Sequence, residues 1–181
     1  MVFALVVLVA ALALGYARGG DLDRLGHLPL RDKRLVVAAL VLQVLGALAG
    51  GWRYPTGLAT SALLVAVFLA RNRGVRGTGL VALGLLLNAL VVGLNGAMPV
   101  SADAMGRARL TTQDIISGAD PRHELLGPGT RLGLISDRIP VLLPGRPEIV
   151  SAGDVLVAAG LAELVVLGMG SVPRRRTALA G

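Results

Sequence analysis

Two aspartates stand out as groups that could do chemistry together. Asp137 lies in Ile135-Ser136-Asp137-Arg138-Ile139-Pro140, and Asp154 follows seventeen residues later in Ser151-Ala152-Gly153-Asp154. An acid/base pair needs two carboxyl groups close enough for their pKa values to separate. Each also has a plain structural explanation. Asp137 suits a turn paired locally with Arg138, and Ser151-x-x-Asp154 has the spacing of a helix capping box, where a carboxylate also favours the helix dipole. Glu163 is a third candidate, as the one carboxylate deep in an apolar run. An ionisable group at such a depth is costly to bury and marks a site unless it staples helices together as a neutral acid. Gln43 and Asn88 are its possible partners. Glu163 lies nine residues beyond Asp154, half a turn round a helix, so the two face different ways.

Other chemistries are thinly supplied. The chain has no cysteine, which removes thiolate metal sites, thiol nucleophiles and disulfides. Its two histidines, His27 and His123, leave little for a zinc site. His123, in Arg122-His123-Glu124, reads as a solvated loop residue. No cofactor or metal is expected.

The elements that must position these groups are apolar. Of 181 residues, 54% are hydrophobic and 16% charged. That much apolar surface exceeds what a soluble core of this size could hide, so lipid is the natural solvent and a bilayer the expected partner. The formal net charge of +7 and 3% aromatic content do not suit nucleic acid. The basic residues flank apolar runs instead of sharing a face with stacking aromatics.

The expected fold is an all-α membrane protein, one domain with five transmembrane helices at about 2–17, 35–51, 55–70, 77–94 and 149–168. The first run is sixteen residues long, roughly 24 Å at a rise of ~1.5 Å per residue, short against a ~30 Å hydrocarbon core. Its basic residues follow it, so it reads as a retained helix and not a secretory leader. Gly46-xxx-Gly50 fits close packing within one chain. Trp52-Arg53-Tyr54-Pro55 reads as a tight turn with aromatics at headgroup depth. On the fourth helix Asn88 and Asn95 share a face with Gly84 and Val91. Residues 95–148 form a mostly irregular loop punctuated by proline, with a short capped helix from Ser101 to about Leu110 and a possible strand pair within 132–143.

Eleven lysines and arginines fall on one side of this layout and seven on the other. The basic side should be cytoplasmic, which places the N-terminus outside, the C-terminus inside and the 95–148 loop outside. The loop's six arginines and six carboxylates cancel, so it does not suit a surface of anionic lipid.

Three stretches, Asn95-Gly96-Ala97-Met98-Pro99-Val100-Ser101, Leu134 to Pro140, and Ser151-Ala152-Gly153-Asp154-Val155-Leu156, resemble a bacterial family of small polytopic membrane proteins catalogued as domain of unknown function 5317. The resemblance implies a protein of the bacterial inner membrane and carries no activity. Asp137 and Asp154 also resemble, in order, side and spacing, the paired aspartates of lipoprotein signal peptidases. In those enzymes an asparagine and an alanine stand where this chain has Ser151 and Gly153, four helices replace five, and a helical hairpin separates the Asn-Gly-Ala-like element from the first aspartate. Three functions follow. The first is a non-enzymatic envelope protein whose outer loop binds a partner protein or lipid. The second is an intramembrane aspartic hydrolase using Asp137 and Asp154. The third is a small-solute or proton carrier using Glu163.

Overall fold

The computed structural model describes residues 2–49, 53–115, 122–143 and 146–170. The chain is mostly helical. Its long helices are α1 (Val2–Ala17), α3 (Arg34–Ala49), α4 (Arg53–Arg71), α5 (Thr78–Asn95) and α8 (Ala152–Met169). A short α2 (Leu22–Gly26) sits in the first loop, and α6 (Ala102–Ala108) and α7 (Thr112–Ile115) follow α5. Among the described residues there are also four three-residue strands: β1 (Met98–Val100), β2 (His123–Leu125), β3 (Ile139–Val141) and β4 (Glu148–Val150).

The five long helices fall close to the apolar runs, with physical reasons for each difference. α1 occupies the expected residues. α4 begins at Arg53, so Arg53, Tyr54 and Pro55 form its first turn instead of a separate tight turn. Proline suits that position because its missing N–H has no intrahelical partner there. Trp52 and Gly50 lie outside the described residues. α8 starts at Ala152 and not at Ile149, because Ile149 and Val150 are taken into β4, antiparallel to β3 with Ile139 opposite Val150. α2 was not expected. Asp21 caps it by accepting from the Asp23 N–H at 3.0 Å.

Two helices, α5 and α8, are long and apolar enough to cross a membrane; α1, 34–46 of α3 and 59–71 of α4 are shorter apolar stretches. Only 22% of the α5 span and 28% of the α8 span is buried inside the protein. A core helix of a soluble protein would be mostly covered by its neighbours, and these are not.

α8 is the centre of the packing. α5 runs antiparallel to it and α1 parallel to it on another face. Glycines bring α5 and α8 into backbone contact: Gly84 meets Gly153, and Gly77, at φ +88° before the first turn of α5, meets Gly160. A Cβ on Gly160 would stand 2.6 Å from the Gly77 carbonyl oxygen, which no side chain permits. α1 contributes Ala11 and Gly15, packed on Val165 and Met169. α3 and α4 form a second pair. There Gly57 lies against Leu42 and Gly46, so Gly46 serves packing within the chain.

One end gathers α2, the 72–77 turn and the C-terminal end of α8. The Asp21 N–H donates to the Met169 carbonyl at 3.0 Å, Leu25 and Leu28 abut Gly168, and Asn72 binds the backbone of Arg31. At the other end residues 96–150 form a small cap. The expected short capped helix is present, and the strand pair expected within 132–143 is replaced by β3 pairing with β4. β1 pairs in parallel with β2, with Met98 opposite His123, and on its other edge Val100 bridges Asp137. Ser101 caps α6, which ends at Arg109 in the left-handed region with φ 58°. Val100 and Ala104 are fully buried and Met105 nearly so, giving the cap a core of its own.

Candidate functional site

The junction of α5, α8 and the cap holds the polar residues singled out in the sequence. Ser151 is the N-cap of α8. Its hydroxyl accepts from the Asp154 N–H at 2.9 Å, and the Asp154 carboxylate accepts from the Ser151 N–H at 3.1 Å. The capping box is therefore formed. It also has a third member. Asn88 donates from Nδ2 to Asp154 Oδ1 at 2.8 Å and accepts the Ser151 hydroxyl proton at Oδ1, also at 2.8 Å. The amide reaches this place because Gly153 has no side chain: a Cβ there would overlap Asn88 Oδ1. Glycine and asparagine thus answer each other across two helices, and each of the three polar side chains has a partner.

Asn95, one heptad further along α5, sits at its end, where Gly96 turns the chain at φ +90°. Its amide nitrogen donates to the carbonyls of Val91 at 2.8 Å and Arg131 at 2.9 Å, and its oxygen accepts the Arg131 N–H at 2.8 Å. Asn88, Val91 and Gly84 lie on the α8- and cap-facing side together, as their spacing predicted.

Asp137 departs from the reading of a turn residue paired with Arg138. It is buried, with 6% of its surface exposed, and forms no ion pair with Arg138. Its backbone is held on both sides by β1, donating to the Pro99 carbonyl at 3.1 Å and accepting from the Ser101 N–H at 2.9 Å. Carboxyl oxygen Oδ1 has no hydrogen-bond partner among the described residues, while Oδ2 lies 3.8 Å from His123 Nε2. Burial, and next the negative charge of Asp154, push the Asp137 carboxyl up to about 7. The two aspartates are thus close enough to feel each other, although Asp154 is tied into the cap of its helix.

His123 was the residue that sequence reasoning undervalued. Nothing in Arg122-His123-Glu124 signals that β2 will pair beside β1 and bring the ring to Asp137. Glu148 was missed too. From β4 its carboxylate accepts the N–H groups of Val2 at 2.8 Å and Phe3 at 2.9 Å, capping α1 from far along the chain. Burial opposes its ionisation, but the terminal ammonium and then those two N–H donors prevail and hold the carboxyl below its ordinary range.

Glu163 faces away from this junction, as its half-turn offset from Asp154 required. With Arg18 it lines a groove of about 400 Å³ between α1 and α8, whose other walls are apolar. Asn88 is engaged by Ser151 and Asp154 and is not its partner. The side chain of Gln43 lies outside the described residues. A second groove, about 500 Å³, lies between the end of α5 and β2 and takes in Asn95, Glu124 and Arg131. Neither groove is lined by Asp137 or Asp154. No cluster of three or more metal-ligating side chains occurs among the described residues.

Comparison with known proteins identifies a family and assigns it no activity. No solved structure matches the chain. An uncharacterized protein of Thermotoga maritima is 33% identical over 109 residues, covering 59% of this chain and 61% of the relative. The chain thus spans about three-fifths of that relative's length. Residues 27–166 match the model of a family of unknown function (DUF5317), a span that takes in Asn88, Asn95, His123, Asp137, Ser151, Asp154 and Glu163. The chain belongs to that family.

Proposed function

We propose that this is a multi-pass protein of the bacterial cytoplasmic membrane, crossing it five times, whose extracytoplasmic cap is a non-enzymatic binding module for a lipid or protein partner. One observation carries the reading: large apolar side chains stand exposed along most of the long helices. On α3, Val37 and Leu40 are each 62% exposed and Leu48 80%. Leu5 and Val9 on α1, Leu63 on α4 and Leu86 on α5 are similarly open. In water such a surface would aggregate; in hydrocarbon it is the ordinary exterior. Its grouping of basic segments at one end supports a cytoplasmic assignment for that end. The short α1 and α3 complete their spans with flanking residues.

The test uses the absence of cysteine. Asp103→Cys in the cap and Arg73→Cys in the opposite turn are both exposed positions. A membrane-impermeant maleimide should label the first in intact cells and the second only after permeabilisation. Equal labelling of both would overturn the topology.

A second reading is favoured by the shifted carboxyl of Asp137. In an aspartic hydrolase, Asp137 would hold the proton given to a substrate carbonyl, and Asp154 would take a proton from the attacking water. Asp137→Asn and Asp154→Asn would then each abolish hydrolysis while the protein still inserts and folds. Burial of Asp137 and the engagement of both Asp154 oxygens by Ser151 and Asn88 put this reading second. For Glu163 as a carrier residue, Glu163→Gln should stop solute or proton flux in proteoliposomes.

A further inference from the structure

The groove at the C-terminal end of α5 has a chemical character that the rest of the cap lacks. Glu124 on β2 and Arg131 beyond it both line the groove, opposite in charge. Among the described residues neither side chain has an ion pair or hydrogen bond. Arg107 and Asp103, by contrast, pair with each other at 3.1 Å. Two unpaired opposite charges on the walls of one groove suit a ligand that carries both.

The walls are also built to hold those charges in place. Asn95 binds both the N–H and the carbonyl of Arg131, so the guanidinium springs from a fixed backbone. The turn before it is closed on itself: the Gly127 N–H donates to Thr130 Oγ1 at 2.9 Å and the Thr130 N–H to the Gly127 carbonyl at 3.0 Å. With its oxygen occupied as an acceptor, the Thr130 hydroxyl still has a proton to donate into the groove. Leu94, the penultimate residue of the α5 span, and the half-exposed Leu125 supply apolar surface beside these polar groups.

We infer that this groove binds the headgroup of a zwitterionic phospholipid bearing a primary ammonium, phosphatidylethanolamine, with the phosphate at Arg131 and Thr130 and the ammonium at Glu124. Guanidinium and hydroxyl are the natural donors to a phosphodiester, and a carboxylate accepts from an ammonium. A quaternary ammonium would look for an aromatic cage, and the groove has no aromatic residue. An anionic headgroup would meet Glu124 uncompensated. The apolar residues at the end of a spanning helix let the acyl chains continue along α5 into the bilayer. A volume of about 500 Å³ falls in the range of small-molecule sites.

The inference rests on the membrane reading, and its test separates the two. The full-length chain, purified in detergent, is examined by native mass spectrometry after addition of phosphatidylethanolamine, phosphatidylcholine or phosphatidylglycerol. Phosphatidylethanolamine should be retained about tenfold more strongly than either of the others, since each charge-assisted bond counts for about that factor. Glu124→Gln should erase the preference over phosphatidylcholine, and Arg131→Gln should lower retention of all three, both with unchanged thermal unfolding. Equal retention of the three lipids, or wild-type retention by both variants, overturns the site. Competition by water-soluble glycerophosphoethanolamine at the same concentration as the lipid overturns the assignment to a lipid. If the chain stays membrane-bound and shows no headgroup preference, this site alone fails; if it is recovered from the soluble fraction without detergent, the membrane reading fails with it.

Discussion

The two antiparallel helix pairs are built from similar residues and solve packing differently. In α5 and α8, glycines spaced by seven on each helix, Gly77 and Gly84 against Gly160 and Gly153, bring the backbones together. The polar triad of Asn88, Ser151 and Asp154 then closes the end beside the cap. In α3 and α4 the glycine contact among the described residues is Gly57 on Gly46 and Leu42, and α3 turns a row of exposed valines and leucines outward. On the membrane reading proposed above, apolar side chains gain little by leaving lipid for one another, so close backbone approach and internal hydrogen bonds would hold the helices together. The first pair uses both devices and carries the cap.

The largest expected effect tests that contrast directly. Gly153→Ala forces a Cβ onto Asn88 Oδ1 and to 2.6 Å from the Gly84 carbonyl. It should destabilise the protein by about 3 kcal/mol, or prevent assembly, in reversible unfolding from detergent micelles. Gly57→Ala in the other pair meets the Leu42 carbonyl at 2.9 Å, and a helix shift of tenths of an ångström should limit its cost to about 1 kcal/mol. Equal losses would erase the distinction between the pairs.

Next comes the aspartate where the first pair meets the cap. Because the folded state raises the Asp137 carboxyl from an ordinary 3.8 to about 7, the native chain holds a proton over that interval that the unfolded chain releases. Stability from this group is therefore full below about pH 4 and falls as pH rises towards about 7, above which it stays low. Asp137→Asn should flatten that fall and be the more stable protein at alkaline pH, by on the order of 3 kcal/mol. A wild type whose unfolding does not change between those pH values would contradict the burial of an ionisable Asp137.

Asn88→Ala removes one side chain and leaves two others short of a partner, Ser151 and Asp154. A loss of about 2 kcal/mol is expected, along with reduced order in the first turn of α8 by hydrogen exchange. Ser151→Ala should cost least, about 1 kcal/mol, the usual value of an N-cap hydroxyl. Were it to cost more than Asn88→Ala, the triad would be centred on the serine and not on the bridge between helices.

The parts of this molecule that were legible in the sequence are those governed by local rules. The limits of α1, the Ser151 to Asp154 capping box and the shared face of Gly84, Asn88, Val91 and Asn95 follow from helix periodicity and cap chemistry. The half-turn separation of Asp154 from Glu163 follows as well. What stayed hidden depends on partners distant in sequence. Strands of three residues have no periodicity to show, so the pairing that sets His123 near Asp137 could not be read. Asn72 offers the plainest case. Like Asn95 it ends a helix, bonds the carbonyl four residues back and clasps an arginine backbone, that of Arg31, through both N–H and carbonyl. In sequence it is one polar residue in a basic turn, and only its burial, at 2% exposed, reveals the role.

The carboxylate of Glu148 on the first turn of α1 bears on the order in which the molecule can be made. Within this chain α1 is translated before its cap residue and its packing partner α8, which come about 145 residues later. Until then the first helix lacks the acceptor of its Val2 and Phe3 N–H groups and the Val165 and Met169 surface on which it packs. Translation of β4 and α8 supplies the seat and the clasp together. α8 is thus the keystone of this assembly, and a nascent chain halted before Glu148 would display α1 without either its cap or its packing face.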